Sequence, residues 1–298
     1  LTLRALLLAL CAGAAACGAS ASPRFCDRPL PMSAQQQDRL LRFAAIVKDQ
    51  LDASGQAVAL VSRSGLDLSR FGVRYSHAGV SLQASANGPW SVRQLYYACD
   101  ESRPRLYDQG MAGFLLGTDD PDIGYVSIVL LPRDQADVLA RSALDNALAL
   151  RLLSASYSAN AHPYSLKHQN CNQWLVELLA TGWGGLADGE DLRARAQRWL
   201  GAQGYMPPPV EVGSHLLMFA APFIPWVHLD DHPQDDLFAL HMRVSMPAAI
   251  EAFVREQVPG AQRIELCHDT RQVVVRRGWA PVAEGCRPEH GDTVLALD

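Results

Sequence analysis

Apolar residues recur close to a 3.6-residue period over residues 33–52, where Leu40, Leu41, Ala44, Val47 and Leu51 share one side and Lys48 is the polar intruder. Ser33, with Gln36 three residues later, makes a capping box, so the spacing predicts an amphipathic helix. The pattern then changes. Gln56–Val61 predicts a short apolar strand, and Val73–Leu82 another, interrupted by Ser76-His77. Trp90–Tyr97 is its return strand across the turn at Asn87-Gly88-Pro89, a connection short enough to demand an antiparallel pair. Gly124–Leu131 reads as a buried strand. Arg133–Leu153, rich in Ala and Leu with no Gly or Pro, predicts one long helix, and residues 170–181 and 191–200 predict two more.

Met206-Pro207-Pro208-Pro209 interrupts this pattern and is the best candidate for a boundary. Beyond it come apolar strands near 215–229 and 237–245, then a helix over 247–257 with Ser245 as a candidate cap. Gln262–Cys267 and Gln272–Arg277 form a hairpin through His268-Asp269-Thr270, and a last strand lies near 293–297. The succession predicts an α+β protein, an antiparallel sheet with packed helices. Residues 22–205 form the main domain and 206–298 a small α+β C-terminal extension.

The first residues read differently. Arg4 precedes an apolar run of about a dozen residues, and Ala19-Ser20-Ala21 offers a cleavage site, so residues 1–21 are expected to be an export signal. Lipoprotein processing at Cys17 is the lesser alternative, because Ala14-Ala15-Ala16 is a weak match for it. The expected location is the periplasm. Removing Arg4 with the signal takes the formal net charge from −5 to −6, and no basic stripe invites nucleic acid. No later apolar run is long enough to span a membrane. Five cysteines remain: Cys26, Cys99, Cys171, Cys267 and Cys286. Thiols pair in an oxidising compartment, so an odd count leaves one as a candidate reactive group.

The chemistry concentrates in Tyr164-Ser165-Leu166-Lys167-His168-Gln169-Asn170-Cys171-Asn172-Gln173-Trp174. Asn170 is a good N-cap with Gln173 at the third helical position, which puts Cys171 in the first turn. Helix N–H groups there favour a thiolate, and a histidine partner would bring its pKa near neutrality. The plain alternative is that Cys171 belongs to the apolar face with Trp174, Leu175, Leu178 and Leu179. His77, in Ser76-His77-Ala78-Gly79-Val80, is the partner candidate; the plain alternative is a hydrogen-bonded core histidine. Ala78 and Gly79 would let another backbone approach closely. His228-Leu229-Asp230-Asp231-His232-Pro233-Gln234-Asp235-Asp236 has metal-ligand density but no fixing helix, and reads as a solvated acidic loop. No metal or cofactor is expected. The stretch Leu216–Val227 suits a lipid pocket or an ordinary core strand pair equally well.

Ser-His-Ala-Gly-Val on a strand, a second strand, then Asn-Cys at a helix start resembles the circularly permuted papain-like proteins, including NlpC-type hydrolases and lecithin–retinol acyltransferase relatives. More closely, Ser76-His77-Ala78-Gly79, Trp90-Ser91-Val92-Arg93-Gln94-Leu95 and Gln169-Asn170-Cys171-Asn172-Gln173-Trp174 resemble an uncharacterised exported bacterial family, domain of unknown function 2145. The resemblance covers roughly residues 56–180. It implies a permuted papain-like core with Cys171 as nucleophile, His77 as base, and Gln94 on the next strand as the orienting residue. Glutamine can fix the imidazole tautomer but stabilises imidazolium less than a carboxylate. The Cys171 N–H would serve an oxyanion hole, with Gln169, His168 and Tyr164 competing as the second donor. Cys267 and Cys286, near in sequence, are expected to pair. A catalytic Cys171 must stay free, which leaves Cys26 for Cys99. The implied function is an exported thiol hydrolase or acyltransferase acting on a cell-wall peptide or lipid acyl group. The competing reading is a non-catalytic envelope binding or structural module.

Overall fold

The computed structural model describes residues 31–297. The expected export signal, Cys17 and Cys26 lie outside the described residues. Helix α1 (Ala34–Ala53) opens with the anticipated capping box, Ser33 accepting from the Gln36 N–H and the Gln36 side chain accepting from the Ser33 N–H. It is followed by β1 (Val58–Arg63), β2 (His77–Leu82), β3 (Ser91–Ala98), β4 (Arg103–Gln109), the short α2 (Met111–Leu115) and β5 (Gly124–Leu130). Helices α3 (Arg133–Leu144), α4 (Asn146–Arg151), α5 (Cys171–Trp183) and α6 (Leu192–Ala202) come next. The remaining elements are β6 (Pro209–Glu211), α7 (His215–Ala220), α8 (Gln234–Phe238), β7 (His241–Arg243), α9 (Pro247–Gln257), β8 (Gln262–His268), β9 (Gln272–Arg277) and β10 (Thr293–Ala296).

Eight strands form one antiparallel sheet in the order β10-β9-β8-β5-β1-β2-β3-β4, so the protein is α+β. Strand β1 shows why its run is continuously apolar. Val58 and Leu60 face one core with α3, α5, α6 and α9, while Ala59 and Val61 face another with α1 and α2. Side chains alternate across a strand, and both faces are covered. Residues 262–296 return to this same sheet, so the Pro-rich break at 206–209 leads into a lateral excursion, the β6–β7 pair with α7 and α8.

Several expectations are corrected. The long helix over 133–153 is two, because Asp145 is extended and its carboxylate caps the second by accepting from the Ala147 and Leu148 N–H groups. Strand β2 starts only at His77; Val73 makes an isolated bridge to Leu68 across the Gly72 turn. The apolar stretch expected as a strand at 215–229 contains α7 and a 3-10 turn at Ala221–Phe223, with Ser214 capping α7 through the Leu216 N–H. Within 237–245 the only strand is β7. Met246, not Ser245, occupies the cap position of α9, with Pro247 following.

Candidate active site

Helix α5 begins as anticipated. The Asn170 side chain accepts from the Gln173 N–H at 2.7 Å, so Cys171 sits in the first turn. The rest of the motif holds this helix in place. Glu177, one turn further along, is fully buried. It accepts from Gln169 Nε2 at 2.6 Å, Gln173 Nε2 at 3.1 Å, Gln197 Nε2 at 2.8 Å and Arg193 Nε at 2.9 Å. A buried carboxylate persists only when it is paired and hydrogen-bonded, and two of its amide partners are the glutamines of the Gln-Asn-Cys-Asn-Gln motif.

His77 is buried at the start of β2. Its Nε2 lies 2.6 Å from Gln94 Oε1 on β3. Gln94 in turn donates Nε2 to Gln109 Oε1 on β4 at 2.7 Å. That second bond orients the amide, so its oxygen faces the ring, the proton resides on Nε2, and Nδ1 remains an acceptor. The Tyr96 ring packs on the imidazole with centroids 4.7 Å apart. Gly79 permits this spacing of strands. A Cβ there would meet Val92 Cγ1 at 2.6 Å and the Arg93 carbonyl at 2.8 Å.

By strand alternation, His77 and Gln94 lie on the α1/α2 side of the sheet, opposite Ala78 and Leu95, which pack in the same core as Cys171. Both Cys171 and His77 nevertheless line one cavity of about 500 Å³, which wraps the end of the sheet where β2 begins. No hydrogen bond joins the thiol to the imidazole among the described residues. The expected poised thiolate is also corrected. Burial pushes the Cys171 thiol up to about 12, outweighing the N–H groups of Asn172 and Cys171 and the Arg63 cation. Burial, reinforced by Arg63, pushes His77 down to about 3 against the Gln94 contact. The resting groups are a neutral thiol and a neutral imidazole.

Arg63 was not singled out by sequence reasoning. It ends β1 directly opposite His77 in the β1–β2 register, is buried, and bonds the Gly117 carbonyl and the Tyr96 hydroxyl. Among the described residues its Nε has no hydrogen-bond partner, and neither has Asn172 Oδ1; both residues line the cavity. It lies just past the apolar strand expected over Gln56–Val61, and only the register puts it beside His77.

The three expected oxyanion donors lie outside the cavity wall and are committed elsewhere. Gln169 spans Leu152, Ser154 and Glu177; Tyr164 donates to the Tyr205 carbonyl. His168 sits between Ser156 and Asp230 and stacks on His228 with centroids 4.4 Å apart. His168, His228 and Asp230 bring ligand atoms within 4.8 Å of one another. They could hold a divalent ion, but Lys167 Nζ lies 2.6 Å from Asp230 and already neutralises it.

Cys267 and Cys286 form the expected disulfide, with Cα atoms 5.6 Å apart. Cys99 is also disulfide-bonded; its expected partner, Cys26, lies outside the described residues. Cys171 is the free cysteine among the described residues. No helix of the described residues is long and apolar enough to cross a membrane.

Fold and site together define an α+β protein with a buried thiol and imidazole on the wall of one apolar cavity. The family model described as an uncharacterized protein conserved in bacteria (DUF2145) matches residues 50–254, and the chain belongs to that family. No curated protein and no solved structure matches the chain.

Proposed function

We propose that the protein is an exported thiol hydrolase or acyltransferase with a permuted papain-like core, acting on an amide or ester. The observation that carries this reading is the Gln109–Gln94–His77 relay, which leaves Nδ1 as an acceptor on a histidine that lines the same cavity as the free Cys171. In the reaction, the Cys171 sulfur forms a bond to the substrate carbonyl carbon and its proton passes to His77 Nδ1. The tetrahedral oxyanion meets the N–H of Cys171 and the Arg63 guanidinium. Collapse breaks the bond to the leaving group, which takes the proton from His77, and leaves a thioester. Water or another acceptor then releases the acyl group. The resemblance favours a cell-wall peptide or a lipid acyl group, and the N-terminal signal favours the periplasm.

A second reading keeps the fold and the cavity without turnover, as an envelope binding module. The neutral resting pair and the lack of a thiol–imidazole hydrogen bond favour it. Intact-mass analysis after mixing with chromogenic esters and thioesters separates the two. Catalysis predicts an acyl adduct on Cys171, absent in Cys171→Ala, and a loss of about a hundredfold or more in acylation rate in His77→Ala. Hydrolysis that persists in Cys171→Ala, or no adduct with any acyl donor, refutes the catalytic reading.

A further inference from the structure

The segment from β6 to β7 closes one side of the cavity, and its two faces are both apolar. Inward, Val210, Val212, Leu217, Ile224, Val227 and Met242 line the wall opposite Leu66, Leu68 and Leu95. Outward, Leu216, Phe219, Phe223 and Phe238 are 71–76% exposed. Phe219 and Phe223 pack edge to face at 5.8 Å, and with Phe238 they border one shallow groove. Isolated apolar residues on a surface need no explanation, but a clustered aromatic patch marks an interaction surface. Here the patch is the outer side of the same short helix and turn whose inner side walls the cavity.

The cavity lining mixes apolar and polar side chains. The lid contributes mainly aliphatic side chains, and Arg63, His77, Tyr96, Gln109 and Asn172 are among the polar residues that line the cavity with Cys171. Arg63 and Asn172 are more than nine-tenths buried, and Arg63 Nε and Asn172 Oδ1 have no hydrogen-bond partner among the described residues. Polar side chains in an otherwise largely apolar lining suit a ligand with one polar head and an apolar tail. A carbonyl oxygen suits Arg63, and an N–H suits Asn172.

We propose that the cavity binds a single long acyl chain with an amide head at Arg63 and Asn172, and that the aromatic face of the lid rests on the lipid surface from which the chain is drawn. This concerns binding and goes beyond the reaction proposed above; it holds whether or not Cys171 turns over. The size fits, since sites for small ligands run to roughly 300–1,000 Å³.

The test uses the Cys171→Ala protein, which cannot be acylated there, so its outcome is independent of catalysis. Titration calorimetry with dodecanoyl-glycinamide and butyryl-glycinamide should show the longer chain binding at least about a hundredfold more tightly, since each buried methylene contributes about fourfold. Equal affinities, or no binding of the dodecanoyl compound, overturn the proposal. Phosphatidylcholine vesicles should co-sediment the protein, and Phe219→Ser with Phe223→Ser should reduce this about tenfold while leaving the affinity for soluble amide unchanged. Vesicle association that is absent in the parent protein, or unaffected by the double substitution, overturns the lipid-facing assignment. So does sedimentation equilibrium showing that the same two phenylalanines hold a dimer.

Discussion

Glu177 offers the clearest test of how the candidate site is held. Its carboxylate is fully buried and is matched by Arg193, whose side chain is 11% exposed, and by three glutamine amides. Glu177→Leu keeps the volume and apolar character that α5 tolerates on its other positions. It strips the guanidinium of the carboxylate it pairs with among the described residues. Arg193 keeps the carbonyls of Leu166, Ser165 and His168, and Gln173 keeps Pro163, so the amides are not all orphaned. The main cost is then the uncompensated cation, about 3–5 kcal/mol for breaking a buried pair on one side. For a chain of this size that lowers the melting temperature by roughly 10 °C. The same logic predicts that adding Arg193→Met recovers about half of the loss, because the double variant removes the stranded charge. Calorimetric or urea unfolding of parent, single and double variants measures this. A single-variant cost under about 1 kcal/mol, or a double variant no more stable than the single, refutes the assignment of Glu177 as the anchor of α5.

Three further outcomes are expected. Gly79→Ala should cost about 1–3 kcal/mol in urea unfolding, because Val92 and the Arg93 carbonyl must move, and should shift the His77 ring resonances by displacing Gln94; unchanged resonances would count against the contact. Replacing Cys267 and Cys286 by alanine should destabilise by about 3 kcal/mol, and an unaltered urea midpoint would show that the bridge constrains nothing. Stability should be highest between about pH 6.5 and 9. Below it, the unfolded chain protonates His77 while the folded one resists down to about 3, so stability falls as pH drops. Above it, the unfolded Cys171 loses its proton while the folded thiol holds it up to about 12, so stability falls as pH rises. Cys171→Ala should flatten the alkaline limb, and an alkaline limb of undiminished slope in that variant contradicts the burial assigned to the thiol.

What the sequence made legible was mostly local. The Ser33–Gln36 box, the Asn170 cap and the β2–β3 pair each depend on residues a few positions apart, and each stands in the structure. Gln94 beside His77 follows from one step across a hairpin. The lid was misread because its apolar stretch has no buried and polar alternation: one side faces a cavity and the other faces outward, so the pattern matches a strand as well as a helix. Asp145 breaks a helix through its own side chain, which competes with the backbone where residue composition alone favours continuity. Arg63 acquires meaning only through its register with His77. Gln169, expected as an oxyanion donor, and Gln173, expected at the cap of the helix, both serve Glu177, a role that needs α6 brought back alongside α5.

The electrostatics of the cavity bear on both functional readings. Burial pushes the thiol up to about 12 and the imidazole down to about 3, so direct proton transfer from one to the other is uphill in the resting cavity. An uphill transfer adds to the barrier for carbon–sulfur bond formation. A bound substrate that narrows this difference therefore favours catalysis. The groups to do it are present, since Arg63 and the first N–H groups of α5 already pull the thiol down and burial alone opposes them. A carbonyl head held at Arg63 would bring a polar partner into the space where desolvation now dominates. The prediction is that saturating the parent protein with dodecanoyl-glycinamide lowers the Cys171 titration, followed by thiolate ultraviolet absorbance, by several units. A thiol that still titrates near 12 in the filled cavity leaves the protein with a site that binds and does not react.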